Sequence, residues 1–375
     1  MIRVLVLGVN PFEDLPGYQL LSLLKSSGRY EIIAADDSIP ALKILSVTGT
    51  RIQLLPHPSA DPCLFTACVA RLCQEHDVSV LLPGTDTHLY ALATCLATEP
   101  QLALLCPTLN WLGSNRLLNK WDLQAWASRF ARTPPRWTFD AEEDASLFAA
   151  KAMYPLMVKG LRKGALKCED ELEAVVARRT ILRNPANQGP GGGAYAESFV
   201  EGEEHSLFLL TDGSGESLAT LGFRKLASTQ LGTTLAAQID GEVPSEMQVP
   251  LLLSEISGPT VLELEWRRDL AAGQWLFEVN VRFPSWIGAL GAYGLNVLER
   301  YMGCIRRDLT DDIDPVAAPP DGSIFYRLPQ SGFLTMEAAF AVNVSDSHHL
   351  GARSSYGSPI PMLWKSTSPH QFRLK

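Results

Sequence analysis

Short apolar runs alternate with stretches of helical periodicity over the first third of the chain. Val4–Leu7, Glu31–Ala35, Gln53–Leu55, Val78–Leu82 and Leu102–Cys106 read as strands, with helices such as Gln19–Ser26 and Leu64–His76 between them. This alternation predicts a doubly wound parallel sheet. Ligands of such sheets lie beyond the carboxyl ends of the strands. Gly8-Val9-Asn10-Pro11 follows the first strand there, and Pro83-Gly84-Thr85-Asp86 follows the fourth.

The pattern changes after Asn115. Asn119-Lys120-Trp121-Asp122 opens a helix running to about Phe130, which Thr133-Pro134-Pro135 stops. A short strand and an acidic helix, Asp140 to Lys151, come next. Tyr154–Lys159 is an apolar strand ending in lysine, followed by a basic glycine-containing loop, Gly160–Ala165. A helix is expected from Asp170 to Arg179 and a loop from Asn184 to Gly193, which is rich in Gly, Pro and Asn. Strands then dominate: Ala194–Val200, His205–Leu210, Leu218–Lys225, Thr260–Trp266 and Gln274–Val279. Turns such as Thr211–Gly215 separate them, as in an antiparallel sheet built of hairpins. A helix from about Ala289 to Arg306 closes this unit, and Pro315–Asp321 reads as a proline-rich linker. The last fifty or so residues carry few strong signals.

A chain of 375 residues suits two or three packed units. Its 46% hydrophobic and 19% charged residues are those of a folded globular protein. The net charge of -9 argues against general nucleic-acid binding. Ile2–Val9 is too short to span a bilayer and carries Arg3, so neither a membrane span nor a signal peptide is read, and a cytoplasmic location is expected. The seven cysteines are odd in number and lack Cys-x-x-Cys spacing. They are expected to be reduced and to act as small apolar residues. Only Gly8 stands where a Gly-x-Gly-x-x-Gly fingerprint would, which speaks against a nicotinamide cofactor and a dinucleotide-dependent oxidoreductase.

The chemistry concentrates in Trp275–Phe283. On a strand, Glu278 and Asn280 share a face, and Arg282 continues it where the strand geometry persists. A carboxylate beside an amide oxygen makes a hard-oxygen site suited to Mg²⁺, and a neighbouring arginine suits a phosphate. Leu262-Glu263-Leu264-Glu265-Trp266 is a second acidic strand, folded back by a turn at Arg267–Gly273, so that Glu265 or Glu263 could complete the site. Taken alone, these would be solvent-facing positions. Because Phe277, Val279 and Phe283 already supply the apolar face, crowding acids on the other has no stability rationale without a cation. Lys159, at a strand end before a glycine loop, fits a triphosphate oxygen. Lys120 is a weaker signal. The extended segment Tyr195–Ser206 can hydrogen-bond an adenine edge and offers carboxylates for ribose hydroxyls.

In this order and spacing, these features resemble the ATP-grasp superfamily, which includes D-alanine–D-alanine ligase, biotin carboxylase and carbamoyl phosphate synthetase. The similarity covers roughly residues 1 to 305. It implies an N-terminal pre-ATP-grasp domain (1–114), small (115–194) and large (195–308) ATP-grasp subdomains with antiparallel sheets, and a C-terminal extension (309–375). It implies that Lys120 and Lys159 bind the nucleotide, with Arg162 to Ala165 as a flap over the phosphates. Glu197, Phe199 and Val200 would form the adenine hinge, and Glu204 the ribose contact. Glu265, Glu278 and Asn280 would hold the metal, and Arg282 would steady the transferred phosphate. Arg224 and Lys225 fall where these ligases often keep a basic residue near the γ-phosphate or acyl phosphate. The implied activity is an ADP-forming carboxylate–amine ligase that uses ATP and Mg²⁺, or Mn²⁺ in its place. Its small-molecule substrates would be amino acids or peptides, and a homodimer is compatible. A bicarbonate-activating enzyme and a non-catalytic ATP-binding protein are the alternatives within the same scaffold.

Overall fold

The computed structural model describes residues 2–11, 15–46, 50–138, 154–189, 191–229, 233–306 and 316–327. The acidic helix expected at Asp140–Lys151 lies outside them.

The first sheet is parallel. It comprises β1 (Ile2–Leu7), β2 (Tyr30–Asp36), β3 (Arg51–Leu54) and β4 (Val80–Leu82) in the order β3-β2-β1-β4. The helices α1 (Pro16–Ser27), α2 (Ile39–Ser46), α3 (Pro62–Glu75) and α4 (Asp86–Thr94) join and follow these strands. Local chemistry sets their ends. Gly28 ends α1 in the left-handed region, the Asp61 carboxylate accepts from Leu64 N at the start of α3, and Thr85 accepts from His88 N at the start of α4. The winding direction reverses between β1 and β4, so the crevice lies beyond the carboxyl ends of those strands. Backbones pack very closely there: a Cβ on Gly84 would lie 2.2 Å from the Leu7 carbonyl oxygen.

Two expectations fail in this region. Leu102–Cys106 is not a strand: Leu102–Leu105 forms a short helix, α5, leading to α6 (Thr108–Ser114). An apolar run of that length cannot distinguish strand from buried helix by periodicity. Nor are all cysteines reduced. Cys63 at the start of α3 is disulfide-bonded to Cys95 at the end of α4, while Cys68, Cys73, Cys106, Cys168 and Cys304 are free. The pairing follows from the packing of α3 against α4, which sequence spacing does not reveal.

His88 of α4 is buried, stacked on Phe65, with Nδ1 2.8 Å from Thr85 Oγ1. Burial, reinforced by His57 and Lys163, pushes its pKa down to about 3. The folded protein therefore keeps it neutral, whereas the unfolded chain takes up a proton near 6.5. Its contribution is complete above that value and is lost as pH falls toward 3. In urea titrations between pH 6.5 and 4, His88→Asn should show a shallower loss of stability than the wild type, by up to about 1.4 kcal/mol per pH unit. Identical slopes would show that His88 does not drive acid sensitivity.

After α7 (Lys120–Ala127), capped by the Asn119 side chain, comes a four-stranded antiparallel sheet in the order β5-β8-β6-β7. Its strands are β5 (Arg136–Thr138), β6 (Leu156–Gly160), β7 (Ala165–Cys168) and β8 (Ala194–Ser198), and α8 (Glu171–Arg183) packs on it over a small core. The segment Asn184–Gly193, expected as a mobile loop, contains a 3₁₀ turn at Pro185–Asn187. The third sheet has six antiparallel strands in the order β13-β12-β9-β10-β11-β14. They are β9 (Glu203–Thr211), β10 (Ser217–Ser228), β11 (Thr234–Ile239), β12 (Thr260–Arg268), β13 (Gln274–Asn280) and β14 (Ile324–Tyr326). β14 comes from beyond the proline-rich segment, so part of the expected C-terminal extension completes this sheet. Helices α9 (Val249–Ser254) and α10 (Gly291–Ile305) flank it.

Each face of the parallel sheet shares a core with one face of the six-stranded sheet. Leu5, Leu7 and Leu81 lie in one cluster with Leu207, Leu262 and Leu264. Val4, Val6 and Leu82 lie in another with Phe208, Phe283 and Trp286. Side chains of this size each contribute about 1.5–3 kcal/mol when fully buried. These shared cores seat the crevice of the first sheet against β12 and β13. No helix among the described residues is long and apolar enough to cross a membrane.

Candidate active site

β12 and β13 pair so that Glu265 faces Glu278 and Glu263 faces Asn280. The period of two places all four side chains on one face. Asn280 Nδ2 donates to Glu265 Oε1 at 3.2 Å and to Glu263 Oε2 at 3.3 Å. Glu263 is the more firmly held. Its Oε1 also accepts from Trp286 Nε1 at 2.5 Å and from Ser206 Oγ at 3.2 Å, and it is 4% exposed. Glu265 and Glu278 instead meet cations: Lys225 contacts Glu265, and Lys120 contacts Glu278.

Three carboxylates thus crowd one patch. Burial, with Glu263 and Glu278 nearby, drives the Glu265 carboxyl up despite Lys225. Burial would raise Glu278 too, but Lys120 and Lys159 override it and hold its carboxyl at about 2. Repulsion of this kind is relieved by a cation.

Lys159, on β6, reaches across from the four-stranded sheet. Its Nζ donates to the Phe277 carbonyl at 2.8 Å and lies 2.5 Å from Glu197 Oε1 on β8. Lys159 and Glu197 are both almost fully buried, and Glu197 Oε2 has no hydrogen-bond partner. Burial raises the Glu197 carboxyl, against the pull of Lys159. Lys120, at the start of α7, brings a second lysine to the same place from a third direction.

Arg282 closes the patch on the side of the first sheet. Its Nη2 donates to Asn280 Oδ1 at 3.4 Å, and its Nε lies 3.4 Å from Asp86 Oδ1. Asp86 belongs to the segment beyond β4, so the crevice of the parallel sheet opens onto the acidic strands. Tyr90, one turn further along α4, is buried with its hydroxyl unpartnered. Its phenol is pushed well above the ordinary value by burial and by Asp86.

A groove at Gly202–Glu204 and Arg224–Ser228 flanks the patch. Glu204 bonds Lys225 Nζ at 2.6 Å and Arg267 Nη2 at 2.9 Å. Arg267 also donates to the Val200 carbonyl at 2.9 Å and lies over the rings of Phe199 and Phe277.

The sequence of this chain matches no protein-family model and no curated protein. Solved structures are similar to it in fold. An L-amino acid ligase from Bacillus licheniformis superimposes with a TM-score of 0.57 at 16% identity, over 84% of this chain and 78% of that one. The biotin carboxylase domain of a Hydrogenobacter thermophilus 2-oxoglutarate carboxylase, solved with MgADP, ADP and bicarbonate, gives 0.55 at 13% identity over 81% and 69%. N5-carboxyaminoimidazole ribonucleotide synthetase from Thermotoga maritima gives 0.53 at 12% identity over 81% and 76%. The chain has the ATP-grasp fold.

Within this ATP-grasp fold, Lys120, Lys159, Glu265, Glu278, Asn280 and Arg282 lie in one connected patch, with Lys225 and Glu204 at its edge. Two expected site residues are placed differently. Arg224 is next to Lys225 on a strand and so points to the opposite face, where it bonds Glu203 and Gln238. Arg162 is buried, and its backbone N–H is held by Asn187 Oδ1 at 3.0 Å, so the Arg162–Ala165 segment is a pinned turn between β6 and β7. Glu197 sits within β8, buried with its carboxylate paired to Lys159. Sequence reasoning missed Asp86 as a partner of Arg282, along with Tyr90, Arg267 and Trp286. The Pro83–Asp86 segment after β4 was the one signal that could have located the first two.

Proposed function

We propose that this protein is an ATP-dependent carboxylate–amine ligase. The observation that carries the reading is the joining of Lys120 and Lys159 to β13 within one patch that also holds Glu265, Asn280 and Arg282. Here Glu278 is ion-paired to a lysine suited to phosphate, as Glu265 is to Lys225. A magnesium nucleotide would satisfy both sides at once: the ammonium groups would hold its phosphates, and the freed carboxylates its metal. Glu265, Glu278 and Asn280 would hold Mg²⁺, which neutralises charge on the phosphoryl groups. Glu263 acts through Asn280 and Trp286 to hold the ligands in place.

Lys120, Lys159 and Lys225 would position the triphosphate, and Arg282 the γ-phosphoryl group. Glu197, Phe199 and Val200 would form the adenine hinge, steadied by Arg267, and Glu204 would meet the ribose. The substrate carboxylate would enter from the crevice at Asp86 and Tyr90. Its oxygen attacks the γ-phosphorus, giving an acyl phosphate and ADP, and an amine then displaces phosphate to form the amide. The protein's part is positioning and electrostatics, so no nucleophilic side chain is required.

The fold is shared with an amino acid ligase and with a biotin carboxylase domain solved with bicarbonate, so it does not choose the acceptor. We take amino acids or peptides as the substrates, with bicarbonate as the second reading. The test is ADP release with Mg²⁺ and ATP across pooled amino acids and dipeptides, and separately with bicarbonate. ADP release that requires an amino acid carboxylate and an amine is expected. Release with bicarbonate alone would replace the first reading with the second. Nucleotide binding without ADP release in any pool would mark a non-catalytic ATP-binding protein.

A further inference from the structure

The six-stranded sheet carries a second polar cluster on the face away from the patch above. Glu204 and His205 are consecutive on β9 and so point to opposite sides. His205 is 2% exposed and stacks on Trp266 with ring centroids 4.3 Å apart. Neither of its ring nitrogens has a hydrogen-bond partner. A buried imidazole with both nitrogens unmatched is costly unless something else engages them.

Two carboxylates are aimed at it. Asp240 Oδ1 accepts from Glu242 N at 3.0 Å, leaving Oδ2 3.3 Å from His205 Nδ1. Glu242 Oε1 is taken by Arg268, leaving Oε2 3.7 Å from the same nitrogen. Each carboxylate thus has one oxygen anchored and the other turned to the ring. The three donor atoms lie within 4.8 Å of one another. A tetrahedral ion with bonds near 2.1 Å holds its ligand atoms about 3.4 Å apart, which these separations bracket. On the far side of the ring, Glu203 Oε2 lies 3.9 Å from Nε2, beyond hydrogen-bond distance.

We propose that His205, Asp240 and Glu242 form a binding site for a divalent transition-metal ion, separate from the magnesium nucleotide site. A nitrogen donor with two carboxylates favours Zn²⁺ and similar ions over Mg²⁺. Asp240 and Glu242 are about a quarter exposed, so an ion can enter and keep water as its remaining ligand. The site ties the β11 end, through Asp240 and Glu242, to β9.

The experiment is calorimetric titration of the chelator-treated full chain with Zn²⁺, in millimolar Mg²⁺ and without nucleotide, alongside thermal melts. One equivalent of Zn²⁺ should bind and raise the melting temperature. Asp240→Asn and Glu242→Gln, both at the surface, should each weaken binding by about tenfold or more. His205→Ala should abolish it, and Glu278→Gln should leave it intact. Absence of zinc binding, equal affinity in the wild type and Asp240→Asn, or loss of zinc with Glu278→Gln would each overturn the proposal.

Discussion

Glu278→Ala is expected to lower the rate of ADP formation by about 10²–10³-fold or more while leaving the fold intact. The side chain faces Glu265 across β12 and β13 and is the only carboxylate that contacts Lys120 among the described residues. Its loss would remove a proposed metal ligand and leave Lys120 without its counter-charge in a partly buried position. Breaking such a pair costs up to about 3 kcal/mol. Nucleotide phosphates can still meet Lys120, so nucleotide binding should survive better than turnover. Circular dichroism and a melting curve would establish the fold, and coupled ADP detection the rate. Full activity in a folded Glu278→Ala protein would remove the foundation of the site assignment.

The second large effect is expected at Lys159. Its ammonium is buried between Glu197 and the Phe277 carbonyl, joining the four-stranded sheet to β13. Lys159→Met would strand the Glu197 carboxylate in a dry environment. A loss of about 3–5 kcal/mol is expected, together with a rise in the Glu197 pKa. Lys159→Met/Glu197→Gln removes both charges and should recover much of that stability. It should not recover binding of an ATP analogue, because the proposed phosphate partner is still missing. Wild-type nucleotide affinity in the double variant would show that Lys159 is a structural ion-pair partner only.

These two variants probe features of unequal visibility in the sequence. Glu278 and Asn280 were readable because a strand has a period of two, and alternation alone puts them on one face; Arg282 lies just past the end of β13. The same rule bears on Arg224 and Lys225. Adjacent strand residues cannot both face one ligand, so only one of the pair could reach the patch, and the structure selects Lys225. The swap at Leu102–Leu105 had no comparable remedy, since a short buried apolar run carries no period. Strands β11 and β14 were also missed. β14 is a three-residue strand that exists because the edge of β11 accepts it.

The Cys63–Cys95 bond, the Asp86–Arg282 contact and the His205 cluster each join residues that are distant in sequence or lie on different elements. No local propensity encodes such meetings. They depend on how α3 packs on α4, how the crevice of the first sheet docks on β13, and where the chain turns after β11.

The sequence by itself determined the strand–helix alternation of the N-terminal sheet, the strand-rich later part and the acidic face of β12 and β13. All of these depend on periodicity and on turn residues that act over a few positions. Tertiary structure alone decided which cations meet which carboxylates, that Glu263 is held by Trp286 and Ser206 while Glu265 and Glu278 are paired with lysines, and that Asp86 reaches Arg282. Those outcomes depend on contacts between separate sheets, where burial strengthens electrostatics and a shift of one residue changes the partner.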